Sequence, residues 1–478
     1  MALQTFSEHR EQSMLGNKLT KFLLLSWTGF LFAAGSHAEP LIVDAAKASN
    51  WVLLETLVAE GSDVNAVFAD GTSALHWASY RDNSVMANLL IEAGANVNIT
   101  TDLGVTPLWL AAQNGSAAVA QTLVTAGADA DINLLLGEST LMIAARSGDA
   151  TVVELLLKAG ANPNAIATRG QTALMWAAGQ GYRPIVEALL EYNADVHART
   201  DVQSLPMKTD KEQYSHPNFR GTYKSGGNDA LMFAVRSGHL SAAKLLVSAG
   251  SNVNETSASG VSPLIEAVHG GNAEIVQLLV ENGAEVNAAN PGYTALHAAV
   301  LRRNYPALEL LLALGAESEV RVEKATPTRR QSLDFHFHVT FVGATPLWLA
   351  ARFTEPDMMR ALLEYGADPH FVHNVSYPAG GNRAPFNVTD EGEISVLMAA
   401  VGMGNQRLDR VDKMGRSERD FLDSSAREFL ILESVEIAID AGVNLELRDA
   451  SNRSALDAAK SLRYESVVSV LSKLTASQ

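Results

Sequence analysis

Hydrophobic positions recur along this chain with a long fixed period. Leucines lie 33 residues apart at Leu75, Leu108, Leu141 and Leu174, and Ile42 lies one period upstream. The same register returns further along the chain at Leu231, Leu264, Leu296, Leu347, Leu397 and Leu456. A fixed period of about 20 to 50 residues is typical of repeat architectures, in which each repeat is one small supersecondary unit. The spacing therefore predicts eleven units.

Each unit is predicted to contain two short helices. In the unit around Leu108, Thr106 caps a first helix, and Pro107 takes its first position, where a missing N–H is tolerated. The small pair at 111–112 allows close approach of the next helix. A second helix with one apolar face follows and ends at Gly127. Because two short helices cannot bury their apolar faces alone, stacking of neighbouring units must supply the core.

The helix-ending position recurs in the same register as the leucines. Glycine holds it in most units, and asparagine, which also adopts the left-handed conformation of a helix C-terminus, holds it once. The equivalent positions are Gly61, Gly94, Gly160, Asn193, Gly250, Gly283, Gly315 and Gly366.

These repeated segments resemble those of ankyrin-repeat proteins. The resemblance is carried by residues 70–78, 106–112, 293–299 and 345–351, and by the unit endings at 93–98 and 282–287. It extends from about residue 40 to residue 474 and implies an all-α ankyrin-repeat solenoid of stacked helix-turn-helix units with hairpin fingers. It also implies protein binding on the concave side, which finger tips and first helices form.

One departure concerns the histidine of the usual Thr-Pro-Leu-His sequence. It is retained only at His76 and His297, which we expect to be structural. Elsewhere bulky apolar residues take its place, so we expect packing to replace part of a hydrogen-bond ladder.

Four insertions interrupt the period. Three lie at finger positions, near 200–227, 319–342 and 371–393, and the fourth, near 406–427, separates the two helices of the tenth unit. Insertions in repeat arrays map to loops, often on the binding face. The finger insertions mix aromatic and cationic residues, which is typical of interface hot spots, although solvated loops have a similar composition. The partner contacts predicted here are Tyr214, Phe219, Arg220, Tyr223, Arg329, Arg330, Phe335, Phe337, Tyr377 and Phe386.

Four arginines near the ends of first helices indicate a second candidate surface. They are Arg146, Arg236, Arg302 and Arg352. By the resemblance this position points toward the concave side, where a cationic stripe would attract an acidic partner surface. The alternative is that each arginine complements the dipole at its helix C-terminus.

Histidines offer a candidate metal site. His336 and His338 lie in one finger insertion, and His370 and His373 lie at the start of the next. Two such pairs would suit zinc or another divalent ion if the loops converge. The alternative is that they are ordinary loop histidines.

Composition excludes other kinds of chemistry. The 478-residue chain contains no cysteine, which excludes disulfides, Cys-ligated metal centres and thiol nucleophiles. Its net charge of −17 disfavours binding to nucleic acid or anionic membranes through overall charge. No Gly-x-Ser-x-Gly elbow, Walker loop or His-Glu-x-x-His helix is present. We expect neither catalysis nor a bound cofactor.

The first 38 residues have the order of a secretory signal peptide. Arg10, Lys18 and Lys21 precede a mostly apolar run at 22–34, and small residues precede a cleavage position after Ala38. As a helix this run spans only about 20 Å, less than the roughly 30 Å hydrocarbon core of a bilayer. Cleavage would leave residues 39–478 as an ankyrin-repeat domain without stable membrane insertion; an uncleaved N-terminal anchor is the alternative.

The sequence therefore predicts a non-enzymatic protein-binding scaffold that is exported, most simply to the periplasm of a Gram-negative bacterium. Two alternatives remain. One is a metal- or small-ligand-binding repeat protein that uses the loop histidines. The other is a secreted effector that acts on a host protein.

Overall fold

The computed structural model describes residues 40–134, 137–206, 222–324, 337, 341–375, 392–403 and 424–476. The predicted signal segment lies outside these ranges. Within them the chain forms 22 helices and two two-stranded antiparallel sheets. The chain divides into two compact units, Met1–Asp195 and Val196–Gln478.

The described secondary structure of the first unit consists of ten helices and isolated β-bridges in its fingers. Its helices are α1 (Leu41–Lys47), α2 (Trp51–Ala59), α3 (Ala74–Tyr80), α4 (Ser84–Glu92), α5 (Pro107–Asn114), α6 (Ala117–Thr125), α7 (Thr140–Ser147), α8 (Ala150–Lys158), α9 (Ala173–Gln180) and α10 (Arg183–Glu191). The odd-numbered first helices pack on one another in chain order, and so do the even-numbered second helices. Each first helix also packs on the second helix that follows it, so two helical layers share one core.

Capping residues begin the first helices as the sequence predicts. The hydroxyls of Ser73, Thr106, Ser139 and Thr172 each accept the backbone N–H three residues later. The predicted helix-ending residues also adopt positive φ: Gly61, Gly94, Gly127, Gly160, Asn193, Gly250, Gly283, Gly315 and Gly366.

In the first unit the substituted histidine positions are packed, as predicted. In the second unit Trp348 retains a hydrogen bond at this position, because its Nε1 donates to Ile394 O at 3.0 Å. His76 Nε2 lies 2.9 Å from the carbonyl oxygen of Val105 in the next repeat. At the equivalent position Trp109, Met142 and Met175 are buried in the core.

A second ladder, which the sequence analysis missed, joins the loops that follow the second helices. Asn98 Nδ2 donates to Gly127 O at 3.3 Å, and the Asp129 N–H donates to Asn98 Oδ1 at 2.8 Å. Asn65 and Asn164 make the same pair of bonds to their next repeats. One asparagine per loop therefore ties each of these repeats to the next.

The second unit repeats this plan and adds strands. Its elements are β1 (Gln203–Pro206), β2 (Thr222–Ser225), α11 (Ala230–Arg236), α12 (Leu240–Ser248), α13 (Pro263–Gly270), α14 (Ala273–Glu281), α15 (Ala295–Arg302), α16 (Tyr305–Ala313), α17 (Pro346–Arg352), α18 (Pro356–Glu364), β3 (Val372–Val375), β4 (Gly392–Ser395), α19 (Val396–Ala400), α20 (Ser424–Asp440), α21 (Ala455–Leu462) and α22 (Glu465–Thr475). First helices again pack on first helices and second helices on second helices.

Two finger insertions are built on antiparallel ladders. β1 pairs with β2 from Gln203 opposite Ser225 to Pro206 opposite Thr222. β3 pairs with β4 in the same antiparallel manner. At their described bases, these two insertions therefore continue the finger hairpins of the repeats.

The fourth insertion lengthens a helix instead. α20 has 17 residues, whereas the second helix α18 has nine. It begins at Ser424, inside the insertion predicted near 406–427, so the last residues of that insertion are helical. No helix in the described ranges combines the length and apolarity that a bilayer crossing requires.

Candidate protein-binding surface

Two of the predicted arginines at the ends of first helices form ion pairs. Arg146 NH1 lies 2.8 Å from Glu138 Oε1, and its guanidinium lies 5.5 Å from the ring centroid of Trp176. Arg236 NH2 lies 2.8 Å from Glu266 Oε1 on the neighbouring first helix α13. Both arginines are half-buried. Much of their charge is therefore neutralised within the chain, which weakens the predicted cationic stripe.

The other two predicted arginines differ from each other. Arg302 is half-buried at the end of α15. Arg352 is only 1% exposed at the end of α17. The expectation that Arg352 contributes to a binding surface is wrong for this structure.

The insertion aromatics are only partly described. Tyr223 is half-exposed in β2, opposite Leu205 of β1, and it remains a candidate contact. Phe337 is completely buried, with ring centroids 4.7 Å from Tyr293 and 6.2 Å from His297. Its prediction as a surface contact is wrong, because it fills the core beside α15. The remaining candidates lie outside the described residues: Tyr214, Phe219, Arg220, Arg329, Arg330, Phe335, Tyr377 and Phe386.

The histidines proposed as metal ligands lie in different surroundings. His370 is exposed, and its backbone N–H donates to Asp368 Oδ1 at 2.9 Å. His373 is buried, with its ring centroid 4.6 Å from that of Trp348. His336 and His338 lie outside the described ranges. Within those ranges no three histidine, aspartate or glutamate side chains are grouped to hold a metal ion.

Burial keeps several histidines neutral. It lowers the pKa of His76, His269 and His297 to about 4 each. His269 Nε2 lies 3.3 Å from the hydroxyl of Tyr293, and His297 Nδ1 lies 2.8 Å from Thr294 Oγ1. These contacts explain the three histidines as structural residues.

A cluster that the sequence analysis missed lies at the ends of α1 and α3. The Arg81 guanidinium lies 5.7 Å from the ring centroids of both Trp77 and Tyr80. Its NH2 is 3.4 Å from the carbonyl oxygen of Lys47, and the Lys47 ammonium lies 5.0 Å from the ring centroid of Phe68. We call these five residues the α1–α3 cluster. The other arginines were recognised because they follow the small-residue pair of a first helix. In this repeat Ala78 is followed by serine, so the same pattern did not point to Arg81.

Exposed aliphatic side chains mark the fingers of the first unit. Val67, Leu103 and Ile166 are exposed in three separate fingers. Single exposed apolar residues are ordinary on protein surfaces, but here they recur in the first, second and fourth fingers of one unit. Since Phe68 of the first finger contacts Lys47 at the end of α1, fingers and first-helix ends meet on one side of this unit.

Comparison with known proteins agrees with this architecture. Family models for ankyrin repeats match residues 42–134, 126–200 and 231–322, and a single ankyrin-repeat model matches 342–371. These matches span more than half of the chain, which therefore belongs to the ankyrin-repeat family. The predicted count of eleven repeats stays a prediction, because the matches do not cover every unit.

Among solved structures, the chain is similar to the crystal structure of the human ASB11 ankyrin repeat domain. The similarity covers 52% of this chain and 99% of that domain, at 25% identity and a TM-score of 0.41. No curated protein matches the chain. Ankyrin repeats indicate a protein–protein interaction scaffold, a class that is generally non-enzymatic.

Proposed function

We propose that this protein is an exported, non-enzymatic scaffold of the cell envelope that binds another protein. In each unit the binding surface consists of the first-helix ends and the finger tips, and in the second unit it also includes the bases of the finger insertions. The main supporting observation is that fingers bearing exposed side chains are tied repeat to repeat by the asparagine ladder. Leu103, for example, lies in the finger that joins α4 to α5 and is 50% exposed.

Rigidity favours binding through these fingers. Ordering a flexible loop opposes association, at about 0.5 to 1.5 kcal/mol for each immobilised side chain. The finger containing Leu103 is already held, because the Asp102 N–H donates to Asp70 O of the preceding finger at 3.0 Å. A partner would therefore bind to fingers that are already ordered.

Export is proposed from the order of the N-terminal segment. Its basic residues, apolar run and small residues before the cut after Ala38 support a signal peptide. The absence of cysteine is compatible with an oxidising compartment such as the periplasm. Mass spectrometry of the mature chain after cell fractionation tests this: we expect an N-terminus at Glu39 in the periplasmic fraction. An intact N-terminus in the cytoplasmic fraction would contradict export.

Photo-crosslinking tests the binding surface. A photoreactive residue is placed at Leu103 or Tyr223 in the full chain, in cells that normally produce it. The matched controls are Val52 and Val85, which are exposed on the second helices α2 and α4. We expect a discrete cross-linked polypeptide from the first two positions only. Equal cross-linking from all four positions, or none from Leu103 and Tyr223, contradicts the proposal.

A further inference from the structure

We propose that the α1–α3 cluster binds an acidic segment of the partner protein, with a carboxylate on Arg81 and apolar side chains on the accessible rings of Tyr80 and Phe68, while the buried ring of Trp77 supports Arg81 from the core. This inference rests on the proposed function and specifies the partner's chemistry at one end of the first unit.

The geometry of Arg81 suits a carboxylate from outside the chain. Its guanidinium is exposed and lies near two aromatic rings, at 5.7 Å from the centroids of Trp77 and Tyr80. In the part of the chain that the structure describes, Arg81 forms no ion pair with a carboxylate. A planar guanidinium held beside aromatic rings keeps N–H donors for bidentate recognition of a carboxylate. Arg146 and Arg236 differ, because Glu138 and Glu266 already occupy their guanidinium groups.

A second cation, Lys47, also favours an acidic ligand. The ammonium group of Lys47 lies over the ring of Phe68, and the backbone of Lys47 contacts Arg81. Two cations from different repeats are therefore each held beside aromatic rings of this cluster. Cations beside aromatic rings also occur in nucleic-acid sites. The chain's net charge of −17, however, disfavours binding to a nucleic acid, which is itself a polyanion.

Exposed acids set the direction of the bound segment. Asp70 and Asp102 lie in the adjoining fingers, and Asp82 follows Arg81. Like charges repel, so the partner's carboxylate is expected on the side of Arg81 that faces away from Asp82 and from the two finger aspartates. Apolar side chains of the segment would reach Leu103, which is exposed in the second finger.

The test begins with the segment that cross-links to a photoreactive residue at Leu103. Mass spectrometry identifies that segment, and a fluorescent synthetic peptide of its sequence becomes the probe. Fluorescence anisotropy then measures its affinity for the full chain and for three variants: Arg81→Glu, Lys47→Glu and Lys158→Glu. Lys158 is the matched control, because it is exposed on α8 and paired only within that helix, with Glu154.

We expect the cross-linked segment to carry a net negative charge. We expect Arg81→Glu to weaken peptide binding about tenfold and Lys47→Glu to weaken it several-fold, because each places an acid beside the peptide's carboxylates. Lys158→Glu should bind like the wild type. Changing the peptide's acids to lysine should restore part of the affinity toward Arg81→Glu, a recovery that misfolding of the variant would not produce.

Other outcomes overturn the inference in distinguishable ways. A cross-linked segment that is neutral or basic, a cross-linked RNA, or equal affinities of Arg81→Glu and Lys158→Glu would each contradict it while leaving protein binding intact. The absence of any cross-linked polypeptide at Leu103 and Tyr223 would contradict the proposed function and this inference together.

Discussion

At the residue scale, buried titratable side chains make the fold sensitive to pH in opposite directions. The neutral His76 ring fits its site, since Nδ1 lies 3.2 Å from the Ser73 backbone nitrogen and Nε2 lies 2.9 Å from Val105 O. Asp229 caps α11, where its Oδ1 accepts the Met232 N–H at 2.8 Å, but burial raises its pKa to about 6. The fold therefore disfavours the charged form of both groups.

Acidification should weaken the contribution of His76. Its pKa is about 4 when folded, below the ordinary value of 6.5, so its stabilising effect is present above pH 6.5 and lost as pH falls toward 4. Between pH 7 and pH 5 this amounts to about 2 kcal/mol. Met occupies the equivalent position at Met142, so His76→Met is the matched variant. We expect urea unfolding to show the stability difference between wild type and variant shrinking by that amount at pH 5. A constant difference would contradict the assignment.

Asp229 should act in the opposite direction. Its folded pKa of about 6 exceeds the ordinary 3.8, so its stabilising effect is present at low pH and lost as pH rises through 6. Serine caps the equivalent helices at Ser139 and Ser262, which makes Asp229→Ser the conservative variant. Relative to this variant, the wild type should gain about 1 kcal/mol of unfolding free energy on going from pH 7 to pH 5. If the unfolding free energy of the wild type instead fell relative to the variant between pH 7 and pH 5, the folded pKa of Asp229 would not be raised.

Sequence register predicted where the arginines lie but not what they contact. The leucine period placed Arg146 and Arg236 at first-helix ends, as the structure has them. Their carboxylate partners were not predicted, because Glu266 comes from the next repeat and Glu138 from a finger. Arg352 has the same register and is nevertheless buried. Burial depends on the surrounding elements, which the period alone does not specify.

At the scale of elements, the described bases of two finger insertions extend the hairpins of the repeats. The finger position predicted hairpins, and the ladders β1–β2 and β3–β4 are continuous with that position. The ladder registers were not predictable, since the inserted sequences lack the repeated pattern that located the helices. The same limit applies to Phe337, an aromatic in an insertion that is part of the core.

Removal of the Phe337 ring should destabilise the second unit. Its ring packs against Tyr293 and His297, and truncation of a fully buried phenylalanine typically lowers stability by about 3 to 5 kcal/mol. Phe337→Ala is therefore expected to lower the midpoint of thermal unfolding measured by circular dichroism. Phe429→Ala is the control, because Phe429 is 64% exposed on α20 and should change stability by less than about 0.5 kcal/mol. Equal effects would mean that Phe337 is not a core residue.

At the scale of the whole molecule, neighbouring repeats provide the long-range order within each unit. First helices pack on first helices and second helices on second helices, and the asparagine ladder joins successive loops. Stability in such arrays is approximately a sum of repeat and nearest-neighbour contributions. A local perturbation should therefore spread to adjacent repeats and fade beyond them.

Loss of one ladder asparagine tests this nearest-neighbour behaviour. Asn98→Ala removes the bonds to Gly127 O and from the Asp129 N–H, which together contribute about 1 to 2 kcal/mol. Hydrogen–deuterium exchange should accelerate in the two repeats that these bonds join and stay unchanged in α9 and α10. The control is Asn88→Ala, since Asn88 Nδ2 donates only within its own helix, to Glu92 at 2.7 Å. Uniform acceleration along the unit would show that it opens as one cooperative block, because a nearest-neighbour array confines the loss to the broken interface.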